Sequence, residues 1–158
     1  VILWYTPAAR NREQAQLVDF VRARVPPGEA IASDYVNSSM LLATTLHPSI
    51  VQPKYETLRS RERIEELYRA LFQGTPDDLR ALLAKLRCRY LLVDLMTMRS
   101  TMAYPGGIRD YPAPLDPRTA FGRFWNDDPA KDAPPTGYKL VYRSPNVDMN
   151  IYRLYEVR

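Results

Sequence analysis

Apolar residues recur along this chain at two spacings, and the change from one to the other divides it. Leu17, Phe20, Val21 and Val25 fall on one helical face. Thr6-Pro7 supplies a start signal, a capping hydroxyl followed by proline at the first helical position, and Pro26-Pro27-Gly28 a stop. Ala30-Ile31-Ala32-Ser33 is short and apolar, as a buried strand would be. Asn37 or Ser38 is placed to cap a second helix through Met40, Leu41, Leu42 and Thr45, which His47-Pro48 ends. Ser49-Ile50-Val51-Gln52 reads as another short strand, closed by Pro53. Leu58, Ile64, Leu67, Tyr68, Leu71 and Phe72 then form one stripe of an amphipathic helix that Gly74 terminates. Thr75-Pro76-Asp77-Asp78 opens a fourth helix, with a cap, a proline and two acids against the helix dipole, carried on by Leu79, Leu82, Leu83 and Leu86. Tyr90-Leu-Leu-Val93 is a central strand, ended by Asp94.

Strands that alternate with helices predict an α/β fold, a Rossmann-like layered sheet of parallel strands covered by helices on both faces. The end of the chain changes period. Tyr138–Tyr142 and Met149–Tyr155 alternate with period two around Ser144-Pro145-Asn146, which predicts an antiparallel hairpin added to that sheet. Between these parts, about 96–136, lies a segment holding half of the 14 prolines and few periodic apolar positions. It reads as a functional surface loop or a partly disordered one, with Phe121-Gly-Arg-Phe-Trp125 as a short helix pinning it down.

A length of 158 residues fits one domain, 1–158, and no run reaches the ~18 apolar residues of a membrane span. The net charge of +4 arises mainly from arginines interleaved with acids, as in Glu65 and Arg69 one helical turn apart. That mixing describes a solvated helix face and argues against a nucleic-acid binder, which carries a one-signed stripe. The modest positive excess remains compatible with anionic lipid headgroups. Cys88 is alone, so no internal disulfide is available, and its place between a helix and a strand fits a buried, inert thiol. His47 has no histidine or cysteine partner, and no metal site is expected.

The candidate chemistry is sparse. No spaced glycine cluster cradles a pyrophosphate, so no nucleotide cofactor is expected. Ser38 or Ser39 with His47 and Asp34 would spell a triad on paper, but no nucleophile-elbow glycines surround either serine. Asp34 and Asp94 each end a strand of the parallel part, where open α/β sheets bind ligands; they equally serve to cap turns. Tyr55, Glu56, Arg59 and Arg61 make the densest polar constellation. A Glu56–Arg59 pair would fix the entry to the third helix, or the arginines would hold a phosphate or carboxylate at its N-terminus. Tyr104, Tyr111, Phe121, Phe124 and Trp125 offer exposed rings in the long segment, with Phe121 and Trp125 also suited to anchoring it.

The stretch from Ser33 to Asp94 resembles the C-terminal segment of the protein tryptophan C-mannosyltransferases, multi-span membrane enzymes of the GT-C glycosyltransferase class. The residues that carry it are Ser33-Asp34, Ser39-Met40 with Leu-Ala-Thr-Thr-Leu, His47-Pro48-Ser49-Ile50-Val51, Pro53-Lys54-Tyr55-Glu56 and Leu58-Arg59-Ser60-Arg61. The approach to Tyr90–Asp94 and the terminal Val147–Val157 are similar more loosely. Glu56 and Arg59 stand closer than the family pattern has them, and a cysteine-bearing segment after the strand is missing, which points to a distant, bacterial-type relative. The resemblance implies a non-catalytic C-terminal domain on the periplasmic or extracytoplasmic side of an integral membrane glycosyltransferase. Its partners would be the membrane-embedded part of the same polypeptide, a lipid-phosphate-linked sugar, and a protein or glycan acceptor. Catalytic residues would lie elsewhere, and Tyr55, Glu56, Arg59, Arg61, Asp34 and Asp94 would assist acceptor or headgroup binding. The alternative is a periplasmic binding or interaction domain with no catalytic link.

Overall fold

The computed structural model describes residues 7–51, 57–94, 97–98, 116–127, 133–145 and 152–158. The elements are α1 (Pro7–Arg24), β1 (Ile31–Ala32), α2 (Tyr35–Thr45), α3 (Leu58–Phe72), α4 (Pro76–Lys85), β2 (Tyr90–Asp94), α5 (Ala120–Asn126), β3 (Tyr138–Arg143) and β4 (Tyr152–Val157). Four strands form one mixed sheet in the order β1-β2-β4-β3.

The parallel sheet expected from the βα alternation is confined to one part. β1 and β2 pair in parallel, Ile31 beside Tyr90, and a lone bridge from Ile31 to Ser49 is what remains, among the described residues, of the strand expected at Ser49–Gln52. The rest is antiparallel. β4 lies between β2 and β3, with Leu92 opposite Leu154 and Leu140 opposite Tyr155. The last strand is therefore central, and the sequence shows why: Tyr152, Arg153, Leu154 and Tyr155 are buried on both faces of the sheet.

Alternation sorts these side chains into two cores. Tyr90, Leu92, Leu154 and Tyr152 meet Leu17 and Val21 of α1, Val25 just after that helix, and Leu41 of α2. Leu91, Val93 and Tyr155 meet α3, α4 and α5 on the other face. Helices thus cover both faces, as the pattern predicted, although the strands between them run mostly antiparallel. The stripe of α3 buries Ile64, Leu67, Tyr68, Leu71 and Phe72. Leu58 departs from it, being 71% exposed at the first turn.

The helix ends follow the local signals. Thr75 and Asp78 exchange bonds in a capping box, the Asp78 carboxylate accepting from the Thr75 N–H at 2.8 Å. These bonds hold the Asp78 carboxyl below its ordinary value. The cap of α2 is not Asn37 or Ser38 but Asp34, because β1 turns into the helix without a loop. Phe121-Gly-Arg-Phe-Trp125 is helical as expected. Phe121 and Phe124 are fully buried, with ring centroids 4.9 Å from Phe72 and Tyr155 respectively, so neither is an exposed ring. The buried Arg153 guanidinium donates to the Phe124 carbonyl at 2.6 Å near the C-terminus of α5, where a cation is favoured. Gly122 permits the close approach of this helix to the preceding turn: a Cβ there would stand 1.7 Å from the Asp116 carbonyl oxygen.

Candidate functional site

Two polar clusters form where β1 and β2 end. The first gathers Asp34 and Asp94. Asp34 caps α2, its Oδ1 accepting from the N–H groups of Val36 (2.8 Å) and Asn37 (3.0 Å). Asn37, one turn into the helix, points its amide between the strands and donates to Asp34 Oδ2 at 2.6 Å and to Asp94 Oδ2 at 2.9 Å. Only the NH2 end of an amide can face two carboxylates, so its orientation is fixed. Asp94 accepts from the Thr97 N–H (2.9 Å) and hydroxyl (2.5 Å), while Arg10 of α1 donates to that hydroxyl at 2.8 Å and stands 3.6 Å from the carboxylate. Ser33 donates to the Leu92 carbonyl at 3.2 Å, across the two strands.

Both carboxylates are completely buried. Burial pushes the Asp34 carboxyl above its ordinary value; the bonds from Asn37 work against that shift, and the neighbouring Asp94 adds to it. The structure therefore does bring the two sequence-predicted acids together, but in a closed arrangement whose acceptors are already engaged. What this geometry can do is lock α1, α2, β1 and β2 to one another.

The second cluster is open. Ser49 bridges Ile31 in parallel, so Ile50 and Val51 run on toward the end of the sheet where β1 stops. Thr57 caps that helix, its Oγ1 accepting from the Ser60 N–H at 3.1 Å and lying 2.8 Å from the Ser60 hydroxyl. A cavity of about 310 Å³ is lined by Ile50, Thr57, Arg59, Ser60 and Arg63. Arg59 is exposed, Arg63 half-buried, and neither forms an ion pair among the described residues. Arg61 is exposed on the intervening turn. Two guanidiniums with hydroxyl groups at the positive end of a helix suit an anion rich in oxygen acceptors, a phosphate or a carboxylate. Tyr55 and Glu56, and with them the expected Glu56–Arg59 pair, lie outside the described residues, as do Tyr104 and Tyr111.

Arg63 also lines this site, although the sequence pointed only to Arg59 and Arg61 on this helix. The signal was its spacing: four residues after Arg59, it shares that residue's face. The rest of that face does behave as expected, Arg69 and Glu65 forming an ion pair at 2.6 Å. His47 is buried, with Nε2 3.3 Å from the Val25 carbonyl oxygen, and lies past the C-cap of α2 while Asp34 caps the N-terminus of that helix, so no triad forms.

Known proteins supply the remaining comparison. None of the curated proteins compared with the chain matches it. The C-terminal globular domain of an oligosaccharyltransferase from Archaeoglobus fulgidus matches with a TM-score of 0.66 over 92% of this chain and 97% of that one, at 9% identity, a likeness of fold. The family model described as Dpy19, Q-cell neuroblast polarisation, matches residues 4–105, which include Asp34, Asp94 and the arginines of α3. The resemblance read from Ser33–Asp94 and the family model thus select the same C-mannosyltransferase family, and the chain belongs to it: it is a member of the Dpy19 family.

Proposed function

We propose that this chain is the extracytoplasmic C-terminal domain of an integral membrane glycosyltransferase that uses a lipid-phosphate-linked sugar, and that it assists binding of the acceptor or of the donor headgroup. The observation that carries this reading is the open cavity at the start of α3, where Arg59 and Arg63, with no ion pair among the described residues, stand beside the hydroxyls of Thr57 and Ser60. A pyrophosphate or phosphate ester offers the oxygen acceptors that such a pair of guanidiniums engages. Membership of the Dpy19 family supports the link to a glycosyltransferase. In this reading the segment from Ile31 to Asp94 is the Rossmann-like half of the sheet, and its ligand side faces the membrane-embedded part.

The test is a transfer assay with the full-length parent protein carrying Arg59→Ala and Arg63→Ala together. Activity should fall while the 158-residue chain with the same changes keeps its melting temperature, and that chain alone should show no turnover. Loss of folding with undiminished activity in the folded fraction would make the arginines structural. Activity that survives deletion of the whole domain would instead favour an interaction domain with no catalytic link.

A further inference from the structure

A cavity of about 630 Å³ lies at the opposite end of the sheet, between the end of α4, the start of β2 and the end of β4. Ala81, Ala84, Cys88 and Val157 give it an apolar wall. Arg80, Arg87, Arg89 and Arg158 stand around it. Three of these are engaged. Arg89 bridges Glu29 and Glu156, each at 3.0 Å; Arg158 stands 3.7 Å from Glu156, and Arg80 3.0 Å from Asp77. Arg87 has no ion pair or side-chain hydrogen bond among the described residues, so one cation is left uncompensated.

Two features of the backbone set these arginines in place. α4 ends in a Schellman turn, the Cys88 N–H bonding to the Leu83 carbonyl at 2.8 Å and the Arg87 N–H to that of Ala84 at 3.0 Å. The residue in the left-handed position of such a turn is ordinarily glycine, and an L-residue there costs about 1 kcal/mol. Here it is Arg87, with φ 53°. At the other side, Arg80 lies across Gly137 (φ 87°), where a Cβ would meet its Cδ at 2.4 Å. Arg80 Nε is buried there without a hydrogen-bond acceptor. Among the described residues, a strained arginine with no side-chain partner and a buried donor with no acceptor thus flank one apolar-walled cavity.

We propose that this cavity binds a small amphipathic anion, its carboxylate or phosphate head held between Arg87 and Arg80 and its short apolar tail lying on Ala81, Ala84 and Val157. This is independent of the function proposed above and concerns the other end of the sheet. Cys88 gives a reporter, being the sole cysteine of the chain and part of the wall. Its Sγ lies 3.3 Å from both the Ala30 and Tyr90 carbonyl oxygens, which share its one proton, and burial pushes the thiol up to about 11, so it reacts slowly and protection is easily timed.

The experiment measures the rate of Cys88 modification by a disulfide reagent at alkaline pH with octanoate, octyl phosphate, octanol or inorganic phosphate added to the 158-residue chain. Octanoate, octyl phosphate or both should slow modification saturably, the tighter of the two identifying the preferred head, and should shift the backbone amide resonances of Ala84 and Arg87. Arg87→Gly relieves the left-handed strain, so it should melt no lower than the parent and bind about tenfold more weakly, the worth of one charge-assisted bond. Ala84→Phe, which fills the apolar wall, should abolish saturable protection without Arg87 being touched. Absence of saturable protection by either amphiphile, equal protection in Arg87→Gly, or equal protection by octanol or by inorganic phosphate alone would overturn the proposal.

Discussion

The two polar clusters at one end of the sheet use similar residues to opposite ends. In the first, Asp34, Asn37, Asp94, Thr97 and Arg10 are bonded to one another, and both acids are sealed from water. In the second, Thr57, Ser60, Arg59 and Arg63 surround an open cavity with two cations unmatched by any acid among the described residues. Polar groups whose bonds are complete hold elements together; polar groups left incomplete at a surface are available to a ligand. Residue type does not distinguish these roles, and burial with the bond inventory does.

The sharpest way to break this contrast is Asp94→Ala. It would strand the Asn37 amide, the Thr97 donors and the Arg10 guanidinium around a buried void, and a loss of about 3 kcal/mol is expected in denaturant unfolding. An unchanged midpoint would mean that the network is not a structural joint. Asp34→Asn probes the same network more gently, since asparagine caps helices nearly as well as aspartate. The Asp34 carboxyl lies above the ordinary value of 3.8 in the folded chain. The folded state therefore holds that proton longer than the unfolded state does. The contribution is fully present below the ordinary value and is lost as pH rises through the folded one. Relative to the parent, Asp34→Asn should gain stability as pH climbs through that window, as thermal melts at a series of pH values would show.

Thr57→Ala touches both roles, because Thr57 caps α3 and lines the open cavity. A cost of about 1 kcal/mol is expected from the lost cap. The smallest effect belongs to Arg59→Ala with Arg63→Ala, whose stability should stay within about 0.5 kcal/mol of the parent by calorimetry. A larger loss would move the arginines into the first class.

Much of the scaffold was legible in the residues. The bounds of α3, the Thr75 cap of α4, the strand Tyr90–Asp94 and the short helix at Phe121–Trp125 all follow from local spacing and capping chemistry. The cap of α2 was misassigned because capping hydroxyls and amides are plentiful at Asp34–Ser39, and the choice depends on where β1 stops. Phe121 and Phe124 were grouped with exposed rings because a proline-rich segment gives no sign of which face it buries. At the site, Arg59 was legible but Arg63 was not, since the spacing that sets Arg63 on the face of Arg59 is that of any charge pair on a solvated helix. The closure of Asp34 upon Asp94 through Asn37 was not visible, because those residues stand on separate elements.

The sequence by itself determined the elements and the family, since helix periodicity, caps and the motifs of Ser33–Asp94 are all local in the chain. Only the tertiary structure decided the order and direction of the strands. Alternation in Tyr152–Val157 specifies which side chains face each way and is the same for a parallel or an antiparallel neighbour. Placing β4 beside β2 is a choice among distant partners, made by burying Leu154 and Tyr155 on opposite faces at once. The same packing decided which charged groups were sealed and which were left for a ligand.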